Sequence, residues 1–221
     1  MTTTSTPIPA RSPALTLTLA LALCLASLAA PALAQDSGLY ADVPDPNASF
    51  VRIVAANLTN AVVDTKTFDQ LDSGISGYVM VSQPGDIKVV TGLDEATVTV
   101  EPGKYYTYIV AKDGSANLVT EDTTSNPAQA MVSVFNLSDL PVVDLYVPAA
   151  KAVAVTGVPM DGTGSVALKA PLTLDFELRS GDKVVATLTA VDLQRRGGVA
   201  ILLRGSGGTY EAVMAESTLA R

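Results

Sequence analysis

The sequence predicts an all-β protein: two tandem antiparallel β-sandwich domains after a signal peptide. Three observations carry this expectation. Residues 1–34 hold a single charge, Arg11, and an Ala/Leu-rich run from Ala14 to Ala30 that ends at Pro31-Ala32-Leu33-Ala34, the pattern of a cleaved export signal. Beyond it, apolar runs rich in Val, Ile, Thr and Tyr alternate with turn residues roughly every 8 to 12 positions, as in antiparallel sandwiches. One strand-and-turn phrase also occurs twice, as VRIVAANLTN (Val51 to Asn60) and MVSVFNLSDL (Met131 to Leu140), which sets Asn57-Leu58-Thr59 on Asn136-Leu137-Ser138 at an offset of 79 residues.

The division that follows is 1–34 signal peptide, 35–122 N-terminal sandwich, 123–129 linker and 130–221 C-terminal sandwich. Cys24 raises the question of a lipid anchor, but Leu23 stands where a lipobox needs a small residue. Cleavage after Ala34 and export to the periplasm is the expectation.

In the first half, FVRIVAAN is a strand from Phe50, and GYVMVSQPGDIKVV holds two runs around Pro84-Gly85. ATVTVEPGKYYTYIVAKDGSANLV contains three strands, parted by Pro102-Gly103 and Asp113-Gly114, both turn dipeptides. TEDTTSNPAQ, Thr120 to Gln129, is polar, carries a proline and suits a linker. In the second half, AMVSVFNLSDLPVVDLYV gives two strands and LTLDFELRSGDKVVATLTAVDL gives more, turning at Ser180-Gly181-Asp182. Arg195-Arg196-Gly197-Gly198 then turns into VAILLRGSGGTYEAVMA, a strand pair. The repeat further sets Gly85-Asp86 on Gly181-Asp182 and Thr107 to Val110 on Ala200 to Leu203, so the second half reads as a degenerate duplication of the first.

Composition narrows function. The chain has no His and no Trp, and Cys24 is its only cysteine. A Ser-His-Asp triad, a Cys-His pair and a His/Cys zinc site are therefore excluded, and no disulfide holds the exported fold. Without the leader, 13 basic residues face 22 acidic ones, a net charge near −9. Such a chain does not bind nucleic acid by neutralising phosphates and is repelled by polyanions.

Several residues are candidates for chemistry. Asn47-Ala48-Ser49, Asn57-Leu58-Thr59 and Asn136-Leu137-Ser138 match the glycosylation pattern, but asparagine is also a turn residue whose side chain folds onto its own backbone. The structural role is the expected one for the repeated pair. Tyr106 and Tyr108 share one face of an alternating strand, with Tyr105 on the other; they are the candidate platform of a carbohydrate-binding module. Asp42, Asp45 and Asn47 offer calcium-type oxygens without the Gly and Glu of an EF-hand. No carboxylate pair is marked by its spacing. Ser76 and Ser206 lie among glycines, but neither completes Gly-x-Ser-x-Gly. Arg195-Arg196 is the sole adjacent basic pair of an acidic chain and the candidate contact for an acidic partner surface. No catalytic residue, cofactor or metal site is expected.

GLYADVPDPNASFVRIVAANLTN (Gly38 to Asn60), followed by PGKYYTYIV, AMVSVFNLSD, LDFELRSGDKVV and VAILLRGSGG, resembles the AlgF family of periplasmic accessory proteins of alginate O-acetylation. The resemblance covers the mature chain through the order and spacing of these segments. It implies a protein required for placing acetyl groups on mannuronate residues that is not itself an enzyme. The implied partners are a membrane acyltransferase and periplasmic serine-type O-acetyltransferases, which it links as an adaptor, with the polysaccharide a further candidate. No individual functional residue follows from the resemblance. The rival readings are a carbohydrate-binding sandwich module and an enzyme that uses carboxylates or a Ser/Lys pair.

Overall fold

The computed structural model describes residues 45–71 and 73–220. The predicted signal peptide, residues 35–44 and Asp42 of the candidate calcium loop lie outside the described residues. The N-terminal half contributes β1 (Ser49–Ala55), β2 (Ala61–Val63), β3 (Lys66–Phe68), β4 (Val79–Val81), β5 (Gly85–Thr91), β6 (Asp94–Val100), β7 (Tyr105–Val110) and β8 (Ala116–Thr120). The C-terminal half contributes β9 (Gln129–Ser138), β10 (Val142–Val147), β11 (Ala152–Pro159), β12 (Gly162–Lys169), β13 (Leu172–Ser180), β14 (Lys183–Leu193), β15 (Gly198–Ser206) and β16 (Thr209–Glu216). The fold is all-β, as the alternation predicts; Pro148–Ala150 forms a single 3₁₀ turn.

Strand order repeats in full. The sheets of the first half run β4-β1-β7-β8 and β3-β2-β5-β6; those of the second run β12-β9-β15-β16 and β11-β10-β13-β14. Adding eight to each strand of the first half gives the second. In both halves the pair at the centre of one sheet, β1 with β7 and β9 with β15, is parallel, and the remaining pairs are antiparallel.

The registers refine the repeat read from sequence. Ile53 pairs with Tyr108, but their aligned counterparts Val132 and Ile201 do not pair: Val134 faces Ile201. The slip is two residues, and an even slip leaves every side chain on its own face. Gly85-Asp86 is not the counterpart of Gly181-Asp182. Gly85 opens β5, whereas the β5–β6 hairpin turns at Gly92-Leu93 as β13–β14 turns at Gly181-Asp182. Gly92 and Gly181 both take left-handed backbone, φ 66° and 60°, which glycine adopts without steric cost.

Three apolar layers hold the sheets together. Val51, Ile53 and Ala55 of β1 meet Ile87 and Val89 of β5 inside the N-terminal sandwich. Val132, Val134, Ile201 and Leu203 meet Leu145, Phe176 and Leu178 inside the C-terminal one. The opposite faces of the same inner strands pack on each other: Val54, Ala56 and Ile109 against Phe135, Leu137, Ala200 and Leu202. All seven residues of β1 are consequently buried, and strands covered on both faces read as near-continuous apolar runs. This is why the strand part of the repeated phrase, VRIVAA and MVSVF, is apolar at every position but Arg52 and Ser133. It supplies the strand that each sandwich turns toward the other. All the described residues belong to one unit, Pro44–Arg221.

Candidate functional site: the cleft at the sandwich junction

One residue of β1 breaks its apolar run. Arg52 points toward the junction with the second sandwich, 1 % exposed, and a charge so placed needs a partner or it destabilises the fold by several kcal/mol. The partner is Glu121, just beyond β8. Arg52 Nη2 lies 2.6 Å from Glu121 Oε2 and Nε 2.9 Å from Oε1, a bidentate, charge-assisted pair. Arg52 Nε also donates to Thr107 Oγ1 at 2.9 Å, and Nη1 to Ser217 Oγ at 3.1 Å. Glu121 further accepts from the hydroxyls of Tyr78 at 2.7 Å, Ser133 at 3.2 Å, and Thr107. The guanidinium lies over the rings of Tyr78 and Phe135, 4.7 and 5.2 Å from their centroids. Ser133, Phe135 and Ser217 come from the C-terminal half, so the pair ties the sandwiches together across the junction.

The network shapes its own electrostatics. Burial drives the Tyr78 phenol far above its ordinary range; Arg52 pulls against this and the Glu121 carboxylate adds to it. Tyr78 is thus a fixed hydroxyl donor at any working pH. Every side-chain nitrogen and oxygen buried among the described residues has a partner.

A cleft of about 470 Å³ opens above this floor. Its walls are the linker from Asp122 to Asn126, the rings of Tyr78 and Tyr105, the turn at Arg196 to Gly198, and the segment Ser217 to Leu219. Tyr105 is itself fixed, stacked on Phe50 at 4.5 Å and edge-on to Tyr78 at 5.3 Å. The segment read as a plain linker therefore does two jobs: Glu121 anchors the junction and the next five residues line the cleft.

Of the predicted site residues, Arg196 reaches this cleft and Arg195 stands beside it. Both are exposed; Arg195 Nε donates only to the Ala170 carbonyl at 3.4 Å, and Arg196 forms no ion pair with any described residue. Tyr106 and Tyr108 do not form a platform. They are 5 % and 6 % exposed, face the core of the N-terminal sandwich, and Tyr106 Oη accepts the Glu101 amide at 3.0 Å. Their shared face is the inward one, because β7 is covered on that side by the second sheet. Asn136 is fully buried, its amide donating to the carbonyls of Leu140 at 2.9 Å and Val158 at 3.4 Å while its oxygen accepts Ser138 Oγ at 2.6 Å. It is structural and inaccessible to any glycan. Asp45 accepts the Asn47 amide at 2.8 Å in a turn. Ser76 is spent on the backbone of Ile53 and Gly77.

Ser206 does have a basic neighbour: Lys112 Nζ donates to its Oγ at 3.0 Å. Lys112 is exposed, whereas a lysine that serves as a base is buried, where desolvation favours the neutral amine. Sequence reasoning missed Arg52 and Glu121. The signal was present: a lone arginine in FVRIVAA, a run apolar on both strand faces, calls for a buried counter-charge.

Comparisons with known proteins place the chain. A family model described as Alginate O-acetyl transferase AlgF matches residues 20–201. Proteins named Alginate biosynthesis protein AlgF are similar to it. The one from Pseudomonas syringae pv. tomato is 28 % identical over 89 % of this chain and 88 % of its own, and that from Pseudomonas putida is 30 % identical over 80 % and 83 %. The Pseudomonas aeruginosa protein is 30 % identical over 82 % and 84 %. The solved C-terminal domain of AlgF from Pseudomonas aeruginosa is 29 % identical, with a TM-score of 0.36 over 40 % of this chain and 98 % of that one. The chain belongs to the AlgF family.

Proposed function

We propose that this protein is a non-catalytic periplasmic adaptor of exopolysaccharide O-acetylation, with alginate as the polymer. In this reading it binds a membrane acyltransferase and periplasmic O-acetyltransferases and holds them at high effective concentration. The family description contains the word transferase and the relatives are named for alginate biosynthesis; the pathway rests on those names, and the division of labour rests on the site.

One observation carries the non-catalytic reading. The polar groups beneath the cleft are already consumed by one another: Glu121 accepts from Arg52, Tyr78, Thr107 and Ser133, and Ser217 accepts from Arg52. Moving an acetyl group through a serine needs a base that is free to take the hydroxyl proton. Glu121 is engaged by a guanidinium, and the chain has no histidine. A net charge of −8 for the whole chain disfavours a polyanionic sugar as the main ligand and leaves protein surfaces as the better partners.

The test has two arms on the full exported chain. Titration against purified O-acetylation enzymes of its own organism should give saturable binding. Incubation with an acetyl donor and mannuronate oligomers should give no turnover above buffer. Turnover that disappears in Ser206→Ala would convert the protein into a Ser/Lys enzyme; absence of binding to every acetylation enzyme would remove the adaptor.

A further inference from the structure

The two arginines do not stand alone. In the β9–β12 register Lys169 is the partner of Gln129, and on the other side of β9 the Gln129 carbonyl accepts the Arg196 amide at 3.0 Å. Arg195 reaches across to the carbonyl of Ala170, next to Lys169. Three cations from the end of β12 and the β14–β15 turn thus meet around the first residue of β9. All three are exposed and none forms an ion pair with any described residue. Of the nearby carboxylates, Glu121 is paired with Arg52, Asp192 accepts the Gln194 side-chain amide at 2.6 Å and Asp122 accepts Ser165 Oγ at 3.1 Å. Glu216, the register partner of Val199, forms no ion pair with any described residue. None of these carboxylates is paired to the three cations. Elsewhere Arg179, Arg204, Lys88 and Lys104 are each paired to a glutamate. Lys112, Lys151 and Lys183 also form no ion pair with a described residue; what sets Lys169, Arg195 and Arg196 apart is that they gather in one place, bordering the junction cleft.

Two further observations say what it accepts. Arg196 holds left-handed backbone, φ 58°, at a turn where glycine or asparagine would sit without strain, so a cation occupies a position that local conformation does not favour. The linker from Asp122 to Ser125 forms no backbone–backbone hydrogen bond with the described residues while lining the cleft. Free main-chain donors and acceptors beside a cationic rim suit an extended peptide, which pairs through its own amides. A long polyanion fits less well, because the net charge of −8 repels it beyond a local contact.

We propose that Lys169, Arg195 and Arg196, with the adjoining cleft, dock a short acidic, extended segment of a partner protein. The adaptor reading supplies only the identity of the protein that carries the segment; the site stands on its own geometry. Electrostatic complementarity of this kind sets partner choice and encounter rate more than raw affinity.

The experiment uses the full exported chain and a fluorescein-labelled hexaglutamate peptide, read by anisotropy at low salt, with hexamannuronate of equal charge as the second probe. Lys169→Glu/Arg195→Glu/Arg196→Glu alters exposed side chains only and should weaken hexaglutamate binding about tenfold or more, the scale of reversing several rim charges. Lys183→Glu, at the far end of β14, should change it less than about twofold. Amide shifts should gather at Thr123 to Ser125 and at Gly197. Equal affinity of the wild type and the triple variant, no binding at millimolar peptide, or tighter binding of hexamannuronate would each overturn the proposal. Measured against the acetylation enzymes, a triple variant that binds as well as wild type overturns this site and leaves the adaptor standing. A wild type that binds none of them removes the adaptor, and the hexaglutamate arm then decides the site by itself.

Discussion

A matching four-residue phrase closes the first strand of each sandwich, Asn-Leu-Thr-Asn beyond β1 and Asn-Leu-Ser-Asp at the end of β9, yet only the second copy puts its polar side chains to structural use. In the C-terminal half Asn136 is buried with its amide satisfied, Ser138 donates to it, and Asp139 accepts the Gly207 amide and the Tyr210 hydroxyl, both at 2.8 Å. In the N-terminal half Asn57, Thr59 and Asn60 are exposed and their side chains bond to no described residue. The first half has its polar anchor elsewhere, in Arg52 and Glu121. Strand lengths differ accordingly: β2, β3 and β4 have three residues each, whereas β10, β11 and β12 have six to eight. A repeated sequence phrase records a repeated topology; which copy carries the energy depends on what packs around it.

The largest expected effect breaks the anchor of the first half. Arg52→Met leaves Glu121 buried without its counter-charge and should destabilise the chain by about 3–5 kcal/mol in denaturant unfolding. The double variant Arg52→Met/Glu121→Leu removes both charges and should recover part of that loss, the remainder reflecting the hydroxyls of Tyr78, Thr107, Ser133 and Ser217 left without their partners. If the network joins the sandwiches, wild type unfolds in one transition and Arg52→Met in two, the N-terminal half first. A single transition in the variant would show that the apolar junction suffices to couple them.

A smaller effect tests the asymmetry of the phrase itself. Asn136→Ala leaves the carbonyls of Leu140 and Val158 and the hydroxyl of Ser138 without their partner, at a cost of about 1–3 kcal/mol. Asn57→Ala, on an exposed side chain that bonds nothing, should stay within about 0.5 kcal/mol. Equal losses at the two positions would mean that the copies share a role after all.

Alternation and turn dipeptides made most of the fold legible, because β1, β4 to β10 and β13 to β16 are bounded by prolines, glycines or the repeated phrase. β2, β3, β11 and β12 were not legible. Their two-residue turns use Asp64 and Asp161 at φ 53° and 56°, and the flanking runs are either three residues long or diluted by glycine and alanine, so their alternation is faint. Pairing at the site was harder still. Arg52 and Glu121 are 69 residues apart, and Glu121 sits in a polar stretch whose composition signals a solvated linker. Period-two geometry correctly placed Tyr106 and Tyr108 on one face, but only the second sheet, through Ile87 and Val89, makes that face the inner one. The basic turn was readable as charge; its third member, Lys169, was not, because the β9–β12 register brings it there.

The finest distinction between the two endings is a proton. The Gly207 amide and, next, the Tyr210 hydroxyl hold the Asp139 carboxyl below its ordinary value, as charge-assisted donors to a carboxylate do. A depressed folded-state value means that the stabilisation is present above the unfolded-state pKa and is lost as pH falls through the lower folded-state one. Asp139 therefore contributes at neutral pH and ceases to contribute only in strong acid. Following its carboxyl carbon by NMR should give a midpoint below that of an aspartate in a random-coil peptide, and Tyr210→Phe should move the midpoint up toward it. In Asp139→Asn, which resembles the first-half ending at Asn60, this acid-limb contribution should vanish while Arg52–Glu121 coupling stays intact. A midpoint at the random-coil value would place Asp139 with Asn60 as a surface residue and leave Asn136 and Ser138 as the difference between the two phrases.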